Sequence, residues 1–162
     1  MRILIYLGHP AHFHLFRQVV RNLEGLGHEL RILASSKDVL EDLLKAEGLD
    51  YVMVGTGRRK SGILGLASQL WKRGLRIFRE IRGWRPALMA GTSAEGPLVA
   101  WLCRVPFVNL NEDDSDVVPL YSRLSYPFST HILMPEGCRA GRWEERTLRY
   151  PGYHELAYLH PS

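Results

Sequence analysis

Residues 1–16 read Met1-Arg2-Ile3-Leu4-Ile5-Tyr6-Leu7-Gly8-His9-Pro10-Ala11-His12-Phe13-His14-Leu15-Phe16, and this stretch decides the fold class. Arg2–Leu7 is an apolar strand, too short for a signal peptide, that runs straight into a Gly-His-Pro turn. A helix is expected over Phe13–Leu26, because Phe16, Val19, Val20, Leu23 and Leu26 fall on one face. Gly27 stops it, glycine being free to take the left-handed conformation.

The same strand–loop–helix unit recurs along the chain. Glu29–Ala34 is a second strand. Ser35 or Ser36 can cap a helix that buries Val39, Leu40, Leu43 and Leu44 and ends at Gly48. Tyr51–Val54 is a third strand, and Ile63–Trp84 reads as one long helix, with an interruption near Gly74 as the alternative. The fourth strand is placed at Ala87–Ala90. The helix after it, Leu98–Cys103 with Pro97 near its start, is apolar on all sides and expected to be buried. Pro106–Leu110 and Thr130–Met134 are further strands, with a short helix near Pro119–Ser125 between them and a short strand near Thr147–Tyr150 after them. Such alternation predicts an α/β fold: a doubly wound, mostly parallel, Rossmann-like sheet of about six strands in an order near 3-2-1-4-5-6.

A length of 162 residues fits one domain, and 46% hydrophobic with 23% charged residues excludes a disordered tail. No apolar run is long enough to span a bilayer, so the chain reads as cytoplasmic. Cys103, expected to be buried, and Cys138, on a loop, have no metal-ligand spacing and read as reduced thiols. The net charge of +4 permits anionic partners and proves none.

Ligands of such sheets bind beyond the carboxyl ends of the strands, and the reactive side chains cluster there. In the first loop Gly8 allows a sharp turn, the following helix start offers N–H groups to an anion, and His9, His12 or His14 can act as a general base. The bland alternative is a histidine that caps the helix or lies on its surface. Three histidines this close could chelate a metal, but no carboxylate has matching spacing, so neither a metal nor a cofactor is expected. Only Gly8 stands where a dinucleotide fingerprint needs three glycines, and no Gly-Lys-Ser/Thr occurs. The loop Gly91–Gly96 offers Thr92, Ser93 and Glu95 to a sugar or phosphate, with Glu95 expected to aim into the same crevice as His9; a plain capping turn is the alternative. Asn111, Glu112, Asp113 and Asp114 could hold sugar hydroxyls, a divalent cation or a proton, or form a solvated acidic loop with Asp114 or Asp116 capping the next helix.

Arg58, Arg59 and Lys60, with Lys72, Arg73, Arg76, Arg79, Arg82 and Arg85, form a basic cluster. It is either a solvated helix face or a docking surface for a membrane or another domain. No aromatic platform interleaves these charges, so nucleic acid is not expected. The tail Tyr150–Pro161 is rich in aromatic and apolar residues and is expected to pack beside the crevice or against a partner.

The opening motif, the Gly27-His28-Glu29 turn and the closing Arg149-Tyr150-Pro151-Gly152-Tyr153-His154-Glu155-Leu156-Ala157-Tyr158-Leu159-His160-Pro161 together resemble the domain-of-unknown-function family 354 (DUF354). That family is similar to the two-domain GT-B superfamily, which includes UDP-N-acetylglucosamine 2-epimerases and the lipid-linked N-acetylglucosaminyltransferase of peptidoglycan synthesis. The resemblance implies an amino-terminal, acceptor-side GT-B domain over residues 1–150, and a linker over 151–162 toward a second Rossmann-like domain. It implies a nucleotide sugar and a glycan or lipid-linked acceptor as partners, with peripheral contact at the inner membrane face. It implies His9, Glu95 and Asp113 as catalytic residues, with Gly8, His12, His14, Thr92, Ser93, Asn111, Glu112 and Asp114 binding substrate. The 162-residue chain alone is then expected to turn over no nucleotide sugar. The alternative function is a non-catalytic α/β binding or interaction module.

Overall fold

The computed structural model describes residues 1–35, 39–55 and 62–159. Arg58, Arg59, Lys60, Ser36, His160 and Pro161 lie outside the described residues. Seven strands form one sheet: β1 (Arg2–Leu7), β2 (Glu29–Ala34), β3 (Tyr51–Met53), β4 (Leu88–Gly91), β5 (Phe107–Leu110), β6 (His131–Pro135) and β7 (Thr147–Tyr150). Their order is β3-β2-β1-β4-β5-β6-β7, and every neighbouring pair is parallel. The expected order holds, and β7 extends it by one parallel edge strand.

Alternation along β1 makes the sheet two-sided. Ile3, Ile5 and Leu7 pack with Phe13, Phe16 and Val20 of α1 (Pro10–Gly25) and with Leu40 and Leu44 of α2 (Val39–Ala46). Leu4 and Tyr6 point the other way, onto Ile77 and Ile81 of α3 (Ile63–Trp84) and Val99 and Ala100 of α4 (Gly96–Leu102). Strand β1 therefore sits at the switch point, pairing with β2 on one edge and β4 on the other, with Leu7 opposite Ala34 and Tyr6 opposite Gly91. A third cluster, built on Tyr126, Ile132, Met134 and Ala140, closes the β6 end beside α5 (Pro119–Ser125) and the single 3-10 turn that follows it.

Several expectations change, and one alternative closes. Helix α1 starts at Pro10 rather than Phe13, because proline at a first helical position has no N–H to satisfy and His9 caps the turn. Strand β4 runs Leu88–Gly91, one residue later than expected. Helix α3 passes Gly74 unbroken. Helix α4 is not buried all round: Val99 and Ala100 face the sheet, while Trp101 and Leu102 stand 58% and 61% exposed. Val99 and Ala100 fill the contact with the sheet, and although α3 and α5 flank the helix, Trp101 and Leu102 stay largely in water. Both cysteines are free and half-buried, so Cys103 is less enclosed than expected.

Candidate functional site

The loops after β1 and β4 meet over the switch point. Gly91 adopts φ 143°, and a Cβ there would collide with the Tyr6 carbonyl, so only glycine lets β4 run this close to β1. Gly8 is close-packed as well: a Cβ on it would lie 3.5 Å from the Thr92 carbonyl and 3.6 Å from Ser35 Oγ. The loops after β1, β2 and β4 thus share one wall.

The histidines of the first loop bond to its own backbone. His9 is the extended N-cap of α1, and its Nδ1 accepts the Ala11 N–H at 3.2 Å. His12 folds back so that its Nδ1 accepts the Gly8 N–H at 3.1 Å. The Ala11 amide, one of the helix-start N–H groups expected to be open to an anion, is therefore taken by an imidazole nitrogen, and so is the Gly8 amide before the helix. Each neutral ring carries its proton on Nε2, since Nδ1 accepts. Burial, reinforced by the neighbouring His9 and His154, pushes the His12 pKa down to about 4, so its ring is a neutral donor at physiological pH. His14 lies half-buried further along α1, edge-on to Phe13.

Beyond β5, Asn111 is buried and donates to Tyr126 Oη at 2.7 Å and to the Asp113 carbonyl at 2.8 Å. Asp114 accepts the Arg139 N–H at 2.7 Å and pairs with its guanidinium at 2.8 Å. These two brace the loop and leave Glu112 and Asp113 exposed. Glu112 meets the tail: its carboxylate accepts the His154 backbone N–H and stands 3.3 Å from His154 Nδ1. His154 stacks on Tyr150, centroids 5.9 Å apart and planes 5° apart, and its Nε2 is buried with no hydrogen-bond partner among the described residues. Burial lowers its pKa, against the charges of Glu155 and Asp113, and burial raises that of Glu112, with Glu155 and Asp113 adding to the rise. The tail is held by α6 (Leu156–Leu159) against α1, over a cavity of about 300 Å³ lined by Leu15, Phe16, Leu110, Leu133, Tyr150 and His154.

The fourth loop turns its polar groups inward. Thr92 Oγ1 donates to the Leu110 carbonyl at 2.6 Å, and buried Ser93 Oγ accepts the Gly96 N–H at 2.9 Å. Glu95 does not aim toward His9. Its carboxylate lies on the α3 side of the sheet, 2.8 Å from Arg73 Nε and 3.4 Å from the donating Tyr6 hydroxyl. Burial raises the Glu95 pKa, while Arg73 and the hydrogen bonds hold it back; burial also pushes up the Tyr6 phenol, the Glu95 charge adding to the rise.

The sequence-derived residues thus fall into two groups. Gly8, His9, His12 and the Glu112–Asp113 segment gather on the α1 side of the carboxyl ends, while Glu95 lies in a buried polar network with Tyr6 and Arg73. His154, Tyr150, Tyr6 and Arg73 belong to these groups and were not among the sequence candidates. His154 carried a signal, being an imidazole in an aromatic-rich tail motif and next to Glu155. Among the described residues, no group of three or more His, Cys, Asp or Glu side chains is arranged to hold a metal ion.

This architecture recurs in solved structures. The chain has the fold of one half of a GT-B protein. It aligns over 99% of its length with UDP-GlcNAc 2-epimerase from Methanocaldococcus jannaschii, with TM-score 0.74 and 16% identity, covering 49% of that chain. MnaA from S. aureus, solved with UDP, matches over 96% of this chain and 46% of that one, with TM-score 0.72 and 15% identity. Acinetobacter baumannii MurG matches over 94% and 45%, with TM-score 0.67 and 15% identity. The chain therefore spans just under half the length of these proteins. Neither a family model nor a curated protein matches the sequence.

Proposed function

We propose that the chain forms one wall of a nucleotide-sugar cleft in a two-domain, GT-B-type glycosyltransferase or sugar epimerase of the DUF354 kind. The observation that carries this reading is the His154–Glu112 pair beside His12 at the carboxyl ends of the strands. A carboxylate next to Nδ1 holds the proton on that nitrogen and leaves the Nε2 lone pair free. Once its buried Nε2 is uncovered, His154 removes a proton, from an acceptor hydroxyl in a transferase or from the sugar carbon in an epimerase. Neutral His12 presents Nε2–H to a substrate oxygen, and exposed His9 and Asp113 border the opening. Gly8, Thr92 and Ser93 supply a close backbone wall, with Asn111 and Asp114 as braces and His14 further along α1. Glu95 supports Tyr6 rather than touching substrate. A second Rossmann-like domain carries most of the nucleotide, and a lipid-linked acceptor would bring the protein to a membrane surface.

The test is amide NMR of the chain during titration with UDP-N-acetylglucosamine to millimolar concentration. Resonances of Gly8, His12, Thr92 and His154 are expected to move while those of Leu44 stay. Shifts confined to other surfaces, or none, would overturn the assignment of this crevice.

A further inference from the structure

The surface formed by α3, α4 and α5 is amphiphilic in an ordered way. On α3, Trp71, Leu75 and Phe78 are 70%, 39% and 42% exposed and follow one another at steps of four and three residues. Arg82 continues the same stripe at the next step of four, and Arg85, the left-handed cap just past the helix end, follows it. On α4, exposed Trp101 and Leu102 are followed within two turns of chain by Arg104. Trp71, Leu75, Phe78 and Leu102, with Leu98, Leu124 and Phe128, line an apolar groove of about 450 Å³, and Trp101 packs beside it on the Phe128 ring. At the amino-terminal end of the sheet a second cavity, of about 360 Å³, is lined by Arg82, Arg85 and Arg104 and by no carboxylate. None of these three guanidinium groups makes an ion pair or hydrogen bond with another described residue. The one carboxylate at the groove, Glu95, is already paired with Arg73.

We infer that this face is a docking surface for an anionic lipid bilayer. A contiguous apolar stripe with exposed tryptophans costs solvation in water and suits the boundary between headgroups and acyl chains. From Trp71 to Arg82 the stripe runs about 16 Å along the helix axis, so α3 lies in the plane of the bilayer with Arg82 and the capping Arg85 at phosphate level. Charge selects lipid over a second copy of the chain: an isologous contact would offer the same arginines and no acids to them. The inference rests on the membrane part of the reading above and moves it from the Lys72–Arg76–Arg79 face. That face is less free than the sequence suggested, since Arg76 donates to the Val54 carbonyl.

The experiment is flotation of the chain with phosphatidylglycerol-containing and with pure phosphatidylcholine vesicles at low and high salt. Binding is expected to the anionic vesicles only, and to weaken with salt. At about 1 kcal/mol per basic residue near an anionic surface, Arg82→Gln, Arg85→Gln and Arg104→Gln together should weaken it about a hundredfold. Trp71→Ser with Trp101→Ser should abolish the blue shift of tryptophan fluorescence on binding, while Arg142→Gln should change nothing. Thermal melts of each variant check that it folds. No vesicle binding, binding untouched by the arginine or tryptophan variants, or a dimer that Trp71→Ser dissolves would each overturn the inference. Because the nucleotide titration reads a different surface, a failure here leaves the crevice assignment standing, and the reverse also holds.

Discussion

Removing Arg73 should expose how the switch point is held. In Arg73→Ala, Glu95 keeps its position, 8% exposed, and loses the guanidinium 2.8 Å away. Breaking one side of a buried pair costs about 3–5 kcal/mol, since the remaining charge is uncompensated. Arg73 keeps 28% of its side chain exposed, so water screens the pair and the lower end applies, about 3 kcal/mol. For a domain of this size that corresponds to a fall in melting temperature of roughly 6–12 °C. The cost depends on pH, with a definite sign. The Glu95 pKa is already raised in the folded state, so the folded chain binds more protons and stability from this group falls as pH rises from the unfolded to the folded value. Without Arg73 the folded pKa climbs further, because the largest lowering influence is gone. The penalty should therefore be smaller at pH 5 than at pH 8, because lower pH favours the protonated, uncharged Glu95. Glu95→Gln alone should cost little, since Arg73 can turn to solvent and the Tyr6 hydroxyl keeps an acceptor. The assay is urea denaturation followed by circular dichroism at both pH values. A cost below about 1 kcal/mol at pH 8, or an equal cost at pH 5 and pH 8, would refute the argument that this pair neutralises a buried charge.

Gly91→Ala should destabilise the fold by about 3 kcal/mol or more, combining backbone strain at φ 143° with a clash against the Tyr6 carbonyl, as read by thermal melting. His12 should titrate near pH 4 by NMR. Its folded pKa lies below the unfolded value, so stability is lost as pH falls from about 6.5 through 4, and His12→Gln should flatten that slope. Asn111→Ala should cost about 1–3 kcal/mol by denaturation, leaving the buried Tyr126 hydroxyl without its donor. Glu112→Gln should lower the His154 pKa further, by removing a nearby negative charge, and an imidazole titration by NMR would show it unmoved if the two groups do not interact.

Period-two and period-3.6 patterns are properties of neighbouring residues, so the strands, the helices and the loops at the strand ends were legible from the sequence alone. Right-handed crossovers then ordered the sheet, and the switch point at β1 followed. The tertiary structure decided what each polar group meets. Arg73 and Glu95 are 22 residues apart, and only the packing of α3 against β1 brings them together. The ring of His12 turns back onto Gly8 because the loop is tight and buried, which converts an expected base into a neutral donor. His154 joins Glu112 from 42 positions further along the chain, through contacts of the tail with α1 that no local pattern encodes. Helix α4 shows the limit most plainly: its composition is apolar on every side, yet Trp101 and Leu102 remain in water. Composition states what a side chain would gain by being covered. Whether anything covers it depends on which element the fold places opposite.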